Sequence, residues 1–134
     1  VHVHDAEPGG AGSGGFLADI ILDDGTYIGT GDEGWKASKD DSYLKNDEWI
    51  DPNFDDSGWE EPQLYEQFGG GIWGFGAAAM RQVLKDPDCT ARWIWAGPYN
   101  VADEVFFRYT IGKNVAVEPC GKYAITWGQM KTAR

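Results

Sequence analysis

Short segments in which apolar and polar residues alternate recur along this chain, and turns rich in glycine separate them. In residues 16–22, alternate apolar side chains share one face and Asp19 lies opposite, which is the pattern of a half-buried strand. Asp24 and Gly25 follow directly and predict a tight hairpin turn. The other predicted strands are residues 1–4, 26–29, 92–96 and 104–111, with weaker ones at 115–117 and 123–127. Many short strands joined by such turns predict an all-β sandwich.

Aromatic side chains mark the candidate core. Aromatic residues make up 14% of the chain, and seven of them are Trp, a composition that suits a β-core. Trp93 and Trp95 share one face of a predicted strand and are predicted to be buried. In the strand at 104–111, Phe107 falls on one face, and Phe106 and Arg108 fall on the opposite face.

The chain carries a strong negative charge. Its 134 residues include 22 acidic and 11 basic side chains, which give a net charge of −11. Nucleic acids and anionic membranes attract positive charge, so this balance argues against both as partners. No apolar stretch approaches the ~18 residues that suggest a membrane-spanning helix. Length and charge together predict one soluble, secreted domain over residues 1–134.

A long polar and acidic segment occupies residues 39–58. A segment of this length without alternation predicts a surface loop, and binding residues often lie on such loops. Trp59 follows a cluster of turn-forming residues and is predicted to anchor that turn to the core, while Asp55 and Asp56 bond to backbone N–H groups. Residues 77–85 have helical propensity, but a helix so short is marginal alone.

The first four residues, Val1 to His4, already lie in a predicted strand. An open strand edge pairs readily with other chains. We therefore expect another protein chain, or a missing N-terminal segment, to complete the sheet. The alternative is a mature N-terminus left when a signal peptide is removed.

The chain has two cysteines, Cys89 and Cys120, and no Cys-x-x-Cys segment. In a secreted chain two cysteines predict one disulfide, which would stabilise the fold by about 3.7 kcal/mol in the chain-entropy model. Buried thiols in a cytosolic protein, or pairing with a different chain, are the alternatives. Zinc is not expected, because only His2 and His4 could assist the cysteines as ligands.

A glycine-rich segment at residues 69–76 carries two aromatic side chains, Trp73 and Phe75. Ligand sites combine apolar and aromatic surface with a few placed polar groups, and sugars stack their apolar face on aromatic rings. Flanking glycines do little to hold a side chain in place, so Trp73 and Phe75 are predicted to form a sugar-binding platform. The alternative for Trp73 is a lid that folds back on the core.

Two further pairs of residues are candidate ligand contacts. Asp32 and Glu33, beside Trp35, are predicted to accept hydrogen bonds from sugar hydroxyls; the alternative is that they cap a turn over a buried Trp35. Tyr99 and Asn100 lie in a loop that begins with Gly-Pro, and they are predicted to line the rim of the binding surface.

Catalysis is not expected. The chain has no Gly-x-Ser-x-Gly segment, and its two histidines both lie in the first strand, so a serine–histidine site is implausible. Solvation of the surface explains nearly all of the acidic residues.

The pairs Asp23–Asp24, Asp40–Asp41 and Asp55–Asp56 offer carboxylates of the kind that Ca²⁺ binds. A Ca²⁺ site is therefore left open, without a defined ligand set.

Several motifs follow one another in an order typical of one group of domains. They are GFLA at 15–18, DGT at 24–26, TGDEGWK at 30–36, FDDSGW at 54–59, ARWIW at 91–95 and VFFRY at 105–109. Over about residues 1–112 the chain thus resembles galactose-binding-domain-like jelly rolls. Such domains occur as lectin-like and carbohydrate-binding modules and as accessory domains of glycosidases such as α-L-rhamnosidases. Gly31 lengthens the usual Thr-Asp-x-x-Trp motif. The strands that such domains usually carry before the equivalent of Val1 to His4 are absent here, and residues 113–134 match nothing in that pattern.

The resemblance implies a jelly-roll β-sandwich and a glycan as ligand. We expect a non-catalytic, secreted, lectin-like module that binds glycans by aromatic stacking and by hydrogen bonds from rim loops. One alternative is a structural subunit of an extracellular assembly that pairs through its open strand edge. Another is an accessory domain cut from a glycoside hydrolase.

Overall fold

A computed structural model describes residues 1–6, 13–73 and 90–112, and seven strands form within them. The strands are β1 (His2–His4), β2 (Asp19–Ile21), β3 (Tyr27–Gly29), β4 (Lys36–Ser38), β5 (Gln63–Gln67), β6 (Arg92–Trp95) and β7 (Glu104–Arg108). Among these residues the helices are two short 3₁₀ turns, Asp41–Leu44 and Glu48–Ile50. The described part of the chain is therefore all-β, which confirms the predicted class.

The strands form three antiparallel sheets. One has the order β1-β7-β4, and the other two are the pairs β2-β3 and β5-β6. A single bridge from Phe16 to Ile94 adds backbone pairing on the second side of β6. A further bridge joins Ala37 of β4 to Glu60, so the outer side of β4 is partly covered.

The hairpin predicted at Asp24 and Gly25 joins β2 to β3. The N–H of Leu22 donates to the carbonyl of Thr26 (2.9 Å), and the N–H of Gly25 donates to that of Leu22 (2.8 Å). Gly25 has φ of +85°, a left-handed conformation that costs glycine little because it has no Cβ. The turn residues therefore act as predicted.

The main core lies where β4, β6 and β7 face one another. We call its buried members the strand cluster: Trp35, Ala37, Ile94, Trp95, Ala96, Val105 and Phe107. Trp93 and Trp95, predicted to be buried, are 4% and 0% exposed. Ile94 points the other way and is also 0% exposed, so β6 is buried on both faces.

A second core lies beneath residues 39–58, the polar and acidic segment that we call the acidic loop. We call it the loop cluster: Trp49, Trp59 and Phe106, with Tyr43 and Phe54 packed against them. Trp59 is 7% exposed, and its indole N–H donates to the hydroxyl of Tyr43 (3.1 Å). Trp59 thus anchors the loop to the core, as predicted. Phe106 and Phe107 point into different clusters, as alternation along β7 requires.

Two predicted strands are shorter than expected by three or more residues. Residues 16–22 change partner on the way, because Phe16 bonds to Ile94 of β6 whereas Asp19–Ile21 pairs with β3. The strand predicted at 104–111 ends at Arg108. The strands on either side of β7 do not extend beyond this point. Val1, at the start of the chain, bonds to Phe107, and Lys36, the first residue of β4, pairs with Arg108.

Several predictions fall outside the described residues. They are the disulfide of Cys89 and Cys120, the aromatic Phe75, the helix at 77–85 and the weaker strands at 115–117 and 123–127. Within the described ranges, no helix has the length and hydrophobicity needed to cross a membrane.

Candidate functional site

Three half-buried aromatic side chains, Tyr65, Trp73 and Tyr99, contact one another on the surface near β5 and β6. We call them the aromatic surface. The Trp73 ring meets Tyr65 edge-on at 5.1 Å between ring centroids, and meets Tyr99 edge-on at 5.9 Å. Beneath them, Trp73 stacks on the buried Trp93 at 5.2 Å, with 24° between the ring planes.

Polar contacts to the backbone hold these rings in place. The indole N–H of Trp73 donates to the carbonyl of Ser13 (2.8 Å). The Tyr65 hydroxyl donates to the carbonyl of Gly97 (3.1 Å) and accepts the N–H of Tyr99 (3.0 Å). Burial raises the pKa of Tyr65. The aromatic surface is therefore fixed before any ligand arrives.

Gly15 allows the chain to pass close to Trp73. A Cβ at this position would lie 2.8 Å from the nearest atom of the indole ring. Any larger residue would displace Trp73 from its stack on Trp93. Gly15 therefore helps to position an aromatic side chain.

Of the predicted ligand contacts, Trp73, Tyr99 and Asn100 lie in one region. Tyr99 belongs to the aromatic surface, and Asn100 is the exposed residue that follows it in a turn closed by a 3.2 Å bond from the Val101 N–H to the Pro98 carbonyl. Trp73 has the contacts of a lid on Trp93, and its ring is half-buried rather than free. Phe75 lies outside the described residues.

Asp32 and Glu33 lie in a separate pocket of about 290 Å³, which we call the acidic pocket. The Asp32 carboxylate accepts the N–H of Gly29 (2.7 Å), and the Trp35 indole N–H donates to the carbonyl of the same glycine (2.8 Å). Asp32 therefore caps the turn over the buried Trp35. Glu33 is exposed at the pocket. A third carboxylate, that of Glu61, also lines it.

The acidic pocket and the aromatic surface lie on opposite sides of β5. Leu64 lines the acidic pocket, while the next residue, Tyr65, packs against Trp73 and Tyr99. Consecutive strand residues point to opposite faces. The predicted ligand contacts consequently form two groups, and a single small sugar does not reach both.

Tyr65 is the member of the aromatic surface that the sequence does not indicate. It lies in the segment Gln63–Gln67, where polar residues surround it and the register of β5 shifts against β6. The alternation expected of a strand is weak there. The sequence does not show that Tyr65 lies near Trp73 and Tyr99, because their proximity depends on the pairing of β5 with β6.

At least one carboxylate of each pair considered for Ca²⁺ is engaged in a hydrogen bond. Asp24, Asp40 and Asp55 each accept the N–H of the residue two positions further on, at 2.9, 2.9 and 3.0 Å. For Asp24 and Asp40, hydrogen bonds from that residue hold the pKa below its usual value. Asp56 pairs with Arg108. Across the described ranges, no group of three or more His, Cys, Asp or Glu residues is arranged to hold a metal ion.

A small charged cluster lies where β1 meets the start of β7. The rings of His2 and His4 both contact the carboxylate of Glu104, His4 through Nδ1 at 2.7 Å. These contacts, that of His2 first, lower the pKa of Glu104. The His2 ring also stacks on Phe106 at 4.7 Å. The cluster therefore ties β1 to β7.

Comparisons with known proteins return no match, whether to family models, curated proteins or solved structures. The resemblance to galactose-binding-like domains thus stays a prediction. What bears on function is the geometry of the aromatic surface and of the acidic pocket.

Proposed function

We propose that this chain is a non-catalytic, secreted, lectin-like module with a galactose-binding-like jelly-roll fold, and that the aromatic surface binds a glycan. The observation that carries this proposal is the set of three fixed, half-buried rings, Tyr65, Trp73 and Tyr99, beside the exposed Asn100. The apolar face of a sugar ring packs against aromatic rings, and a placed amide satisfies its hydroxyls.

Tyr65 and Asn100 would contribute different contacts to a bound glycan. The Tyr65 hydroxyl is occupied on both sides by backbone groups, so Tyr65 offers its ring rather than its hydroxyl. Asn100 carries both a donor and an acceptor in its amide and suits the alternating needs of sugar hydroxyls. Because the rings are held before binding, little side-chain entropy is lost when the glycan arrives.

The acidic pocket supports a second contact for a longer glycan. Glu33 is exposed there, whereas Asp32 is already held by Gly29. Carboxylates accept hydrogen bonds from sugar hydroxyls, and a glycan that extends around β5 would meet Glu33. The experiment below also tests whether Ca²⁺ aids binding.

The test is a glycan array with the native, non-reduced protein, run with Ca²⁺ and with a chelator. Defined sugar hits support the proposal, and their loss in chelator would add a metal site. Blank arrays in both conditions, from protein shown to be intact by native mass spectrometry, would contradict glycan binding.

Point variants then assign the site. Asn100→Ala should weaken binding to an array hit about five- to tenfold, because one or two hydrogen bonds are lost. Asn53→Ala is the matched control, since Asn53 is exposed in the acidic loop, remote in sequence from the aromatic surface. Glu33→Gln should weaken only longer glycans. Equal affinity of Asn100→Ala and the unchanged protein would remove the aromatic surface from the proposal.

Trp73→Ala is less informative than its position in a glycine-rich segment suggests. The ring covers Trp93 and bonds to Ser13, so its removal exposes a buried tryptophan. We expect this variant to lose stability as well as binding. Its effect on binding is interpretable only after its melting temperature is known.

The edge of β1 favours a second candidate function, that of a structural subunit which pairs with a second copy of the chain. Val1 and Phe107 exchange two backbone hydrogen bonds, both 2.7 Å. In an antiparallel ladder, such hydrogen-bonded pairs alternate with pairs of residues whose backbone N–H and C=O groups point away from the partner strand. The N–H groups of His2 and His4 therefore point away from β7, toward the side of β1 on which none of the described strands lies.

Sedimentation at rising protein concentration tests this candidate. His4→Pro removes one outward N–H, and His4→Ala is the control that keeps the N–H while removing the ring. Self-association that is lost in His4→Pro and kept in His4→Ala would support strand pairing. A monomer at every concentration would exclude it.

A further inference from the structure

An open groove of about 380 Å³ lies at the end of β7, where the strand cluster meets the acidic loop. Trp35, Phe107 and Tyr109 line it on the strand side, and Trp49 and Ile50 line it on the loop side. Sites for small molecules have volumes of about 300–1,000 Å³ and mostly apolar walls with a few polar groups. The groove therefore has the size and the lining of a site for a small ligand.

Aromatic rings form its walls, and contacts with neighbouring residues hold these rings in place. The rings of Trp35 and Tyr109 lie 5.2 Å apart between centroids, and the Trp35 indole N–H donates to the carbonyl of Gly29. On the loop side, Trp49 meets Phe106 edge-on at 5.3 Å. Aromatic rings favour offset or edge contacts at about 4.5–7 Å between centroids. A ligand ring that enters the groove therefore meets suitable partners already in position.

The rim of the groove is apolar as well. Ile50 is 60% exposed and Ile111 is 53% exposed, and both line the groove. A ligand that covers these side chains removes apolar surface from water, which favours binding.

The charge of the lining differs from that of the chain. The chain has 22 acidic and 11 basic residues, yet none of the described residues that line the groove is acidic. Arg108 supplies the charged side chain among them, and the next residue, Thr110 apart by one, adds a hydroxyl that can donate a hydrogen bond. This lining is complementary to a negatively charged ligand.

Arg108 has hydrogen-bond donors left for such a ligand. Its guanidinium carries five N–H groups. Nε donates to the carboxylate of Asp56 (3.0 Å) and Nη2 donates to the carbonyl of Asp51 (3.1 Å), and within the described ranges the guanidinium makes no other hydrogen bond. An ionised carboxylate has acceptors only, and its bonds to arginine are short and strong. A carboxylate is therefore the group that matches the remaining donors.

The negative charge of the chain does not prevent an anion from binding here. The carboxylate of Asp56 pairs with Arg108, and that of Asp51 accepts the N–H of Asn53 (2.7 Å). Exposed charges farther away than about 8 Å are largely screened at physiological salt. The donors in the groove therefore decide the charge that it accepts.

We propose that the groove binds a small aromatic carboxylate. The ligand ring lies between the aromatic walls, and its carboxylate accepts hydrogen bonds from Arg108. The groove shares no lining residue with the aromatic surface and shares Trp35 with the acidic pocket. The inference does not depend on glycan binding.

Calorimetry with three matched probes tests the chemistry of the ligand. Hydrocinnamate carries the ring and the carboxylate, hydrocinnamamide replaces the carboxylate with a neutral amide, and cyclohexylpropionate replaces the ring. Hydrocinnamate should bind at least about tenfold more tightly than the amide, because a charged hydrogen bond to arginine is lost. It should bind about threefold more tightly than cyclohexylpropionate. Equal affinities for the acid and the amide, or no binding of hydrocinnamate at about 10 mM, would overturn the proposal.

Variants at the rim test the place and the charge of the site. Ile50→Asp should weaken hydrocinnamate binding at least about tenfold, because it sets a carboxylate beside the ligand, whereas Ile50→Lys should retain binding. Val101→Asp is the matched control, since Val101 is 65% exposed and does not line the groove. Ile50 is itself exposed, so its replacement leaves the core intact. Equal affinities of Ile50→Asp and Val101→Asp would overturn the proposal.

Nuclear magnetic resonance of the ¹⁵N-labelled protein locates the bound probe. The indole N–H signals of Trp35 and Trp49 should shift as hydrocinnamate is added, and that of Trp73 should not. A shift of the Trp73 signal alone would place the probe on the aromatic surface and would overturn the proposal. Binding that weakens as the protein concentration rises would show that a second copy covers the groove, and would overturn it as well.

Discussion

The two faces of β7 are buried by different means. On one face, Phe107 packs against strands and their neighbours: its ring stacks on Phe16 at 5.1 Å and meets Trp95 at 6.1 Å. On the other face, Phe106 is covered by a loop, through edge contacts to Trp49 at 5.3 Å and to Tyr43 at 5.6 Å. One strand thus has a face held by sheet pairing and a face held by a loop that must itself be fixed.

What fixes the loop is a set of polar contacts centred on Arg108. Its guanidinium donates to the carboxylate of Asp56 (3.0 Å) and to the carbonyl of Asp51 (3.1 Å), and it lies over the ring of Phe54 at 5.1 Å. Arg108 is 8% exposed. Burying a charge is unfavourable unless it is paired and hydrogen-bonded, so the loop and the arginine depend on each other.

The largest expected effect is the loss of an aromatic ring from either face. Phe107→Ala should destabilise the domain by about 4 kcal/mol and Phe106→Ala by about 3 kcal/mol, because a loop collapses into a cavity more readily than strands do. Denaturant unfolding measures both values. Leu44→Ala is the control, since Leu44 is 50% exposed and exposed positions change stability by less than about 0.5 kcal/mol.

Hydrogen exchange sharpens the contrast between the faces. In Phe106→Ala, residues 40–60 should open before the sheets, whereas Phe107→Ala should weaken β4 and β6 together. If Phe106→Ala proves more destabilising than Phe107→Ala, the loop is as integral to the fold as the strands, and the distinction fails.

The next effect in size concerns the ion pair that holds the loop. Asp56→Asn keeps the shape of the side chain but removes the charge that faces Arg108, and should destabilise the fold by about 2 kcal/mol. The buried arginine then lacks its carboxylate, and the loop should exchange faster. Chemical denaturation and exchange of residues 40–60 are the measurements.

Asp55→Asn is the matched control for that variant. It makes the same charge change one residue away, and Asn can still accept the N–H of Ser57 that Asp55 accepts at 3.0 Å. The two variants should therefore differ clearly. Equal losses in both would mean that the net charge of the loop matters and that the pair with Arg108 does not.

The strand face was predictable from the sequence, and much of the loop face was not. Alternation placed Phe106 and Phe107 on opposite faces and marked Trp93 and Trp95 as buried, because a strand has a period of two. Trp59 was predictable as an anchor from the turn before it. Trp49 carried no such signal, since it lies in a 3₁₀ turn within a segment that shows no periodicity.

The sequence indicated most of the residues of the candidate site, but not which of them lie together in space. Aromatic and polar residues in turns indicated Trp73, Tyr99 and Asn100, which lie in one region. Asp32 and Glu33 were expected beside them, yet they lie across β5. Which turns meet depends on strand pairing distant in sequence, and no local pattern encodes it.

The smallest expected effect lies at the exposed start of β7, where the His2 ring stacks on Phe106 at the edge of the loop cluster. Hydrogen bonds from His2 and then His4 lower the pKa of Glu104 below its ordinary 4.5. A carboxyl whose pKa is lower in the folded state stabilises the fold above the pKa of the unfolded chain, and this stabilisation is lost as the pH falls through the folded value. Glu104→Gln removes it at every pH.

The difference in melting temperature between the unchanged protein and Glu104→Gln should therefore be a few degrees or less near pH 6, because a partly exposed pair contributes little. It should shrink as the pH is lowered past 4.5. Glu61→Gln, at an exposed glutamate of the acidic pocket, supplies the baseline for removing one negative charge. No difference at any pH would mean that His2 and His4 hold β1 without Glu104, and a difference that grew as the pH fell below 4.5 would contradict the lowered pKa of Glu104.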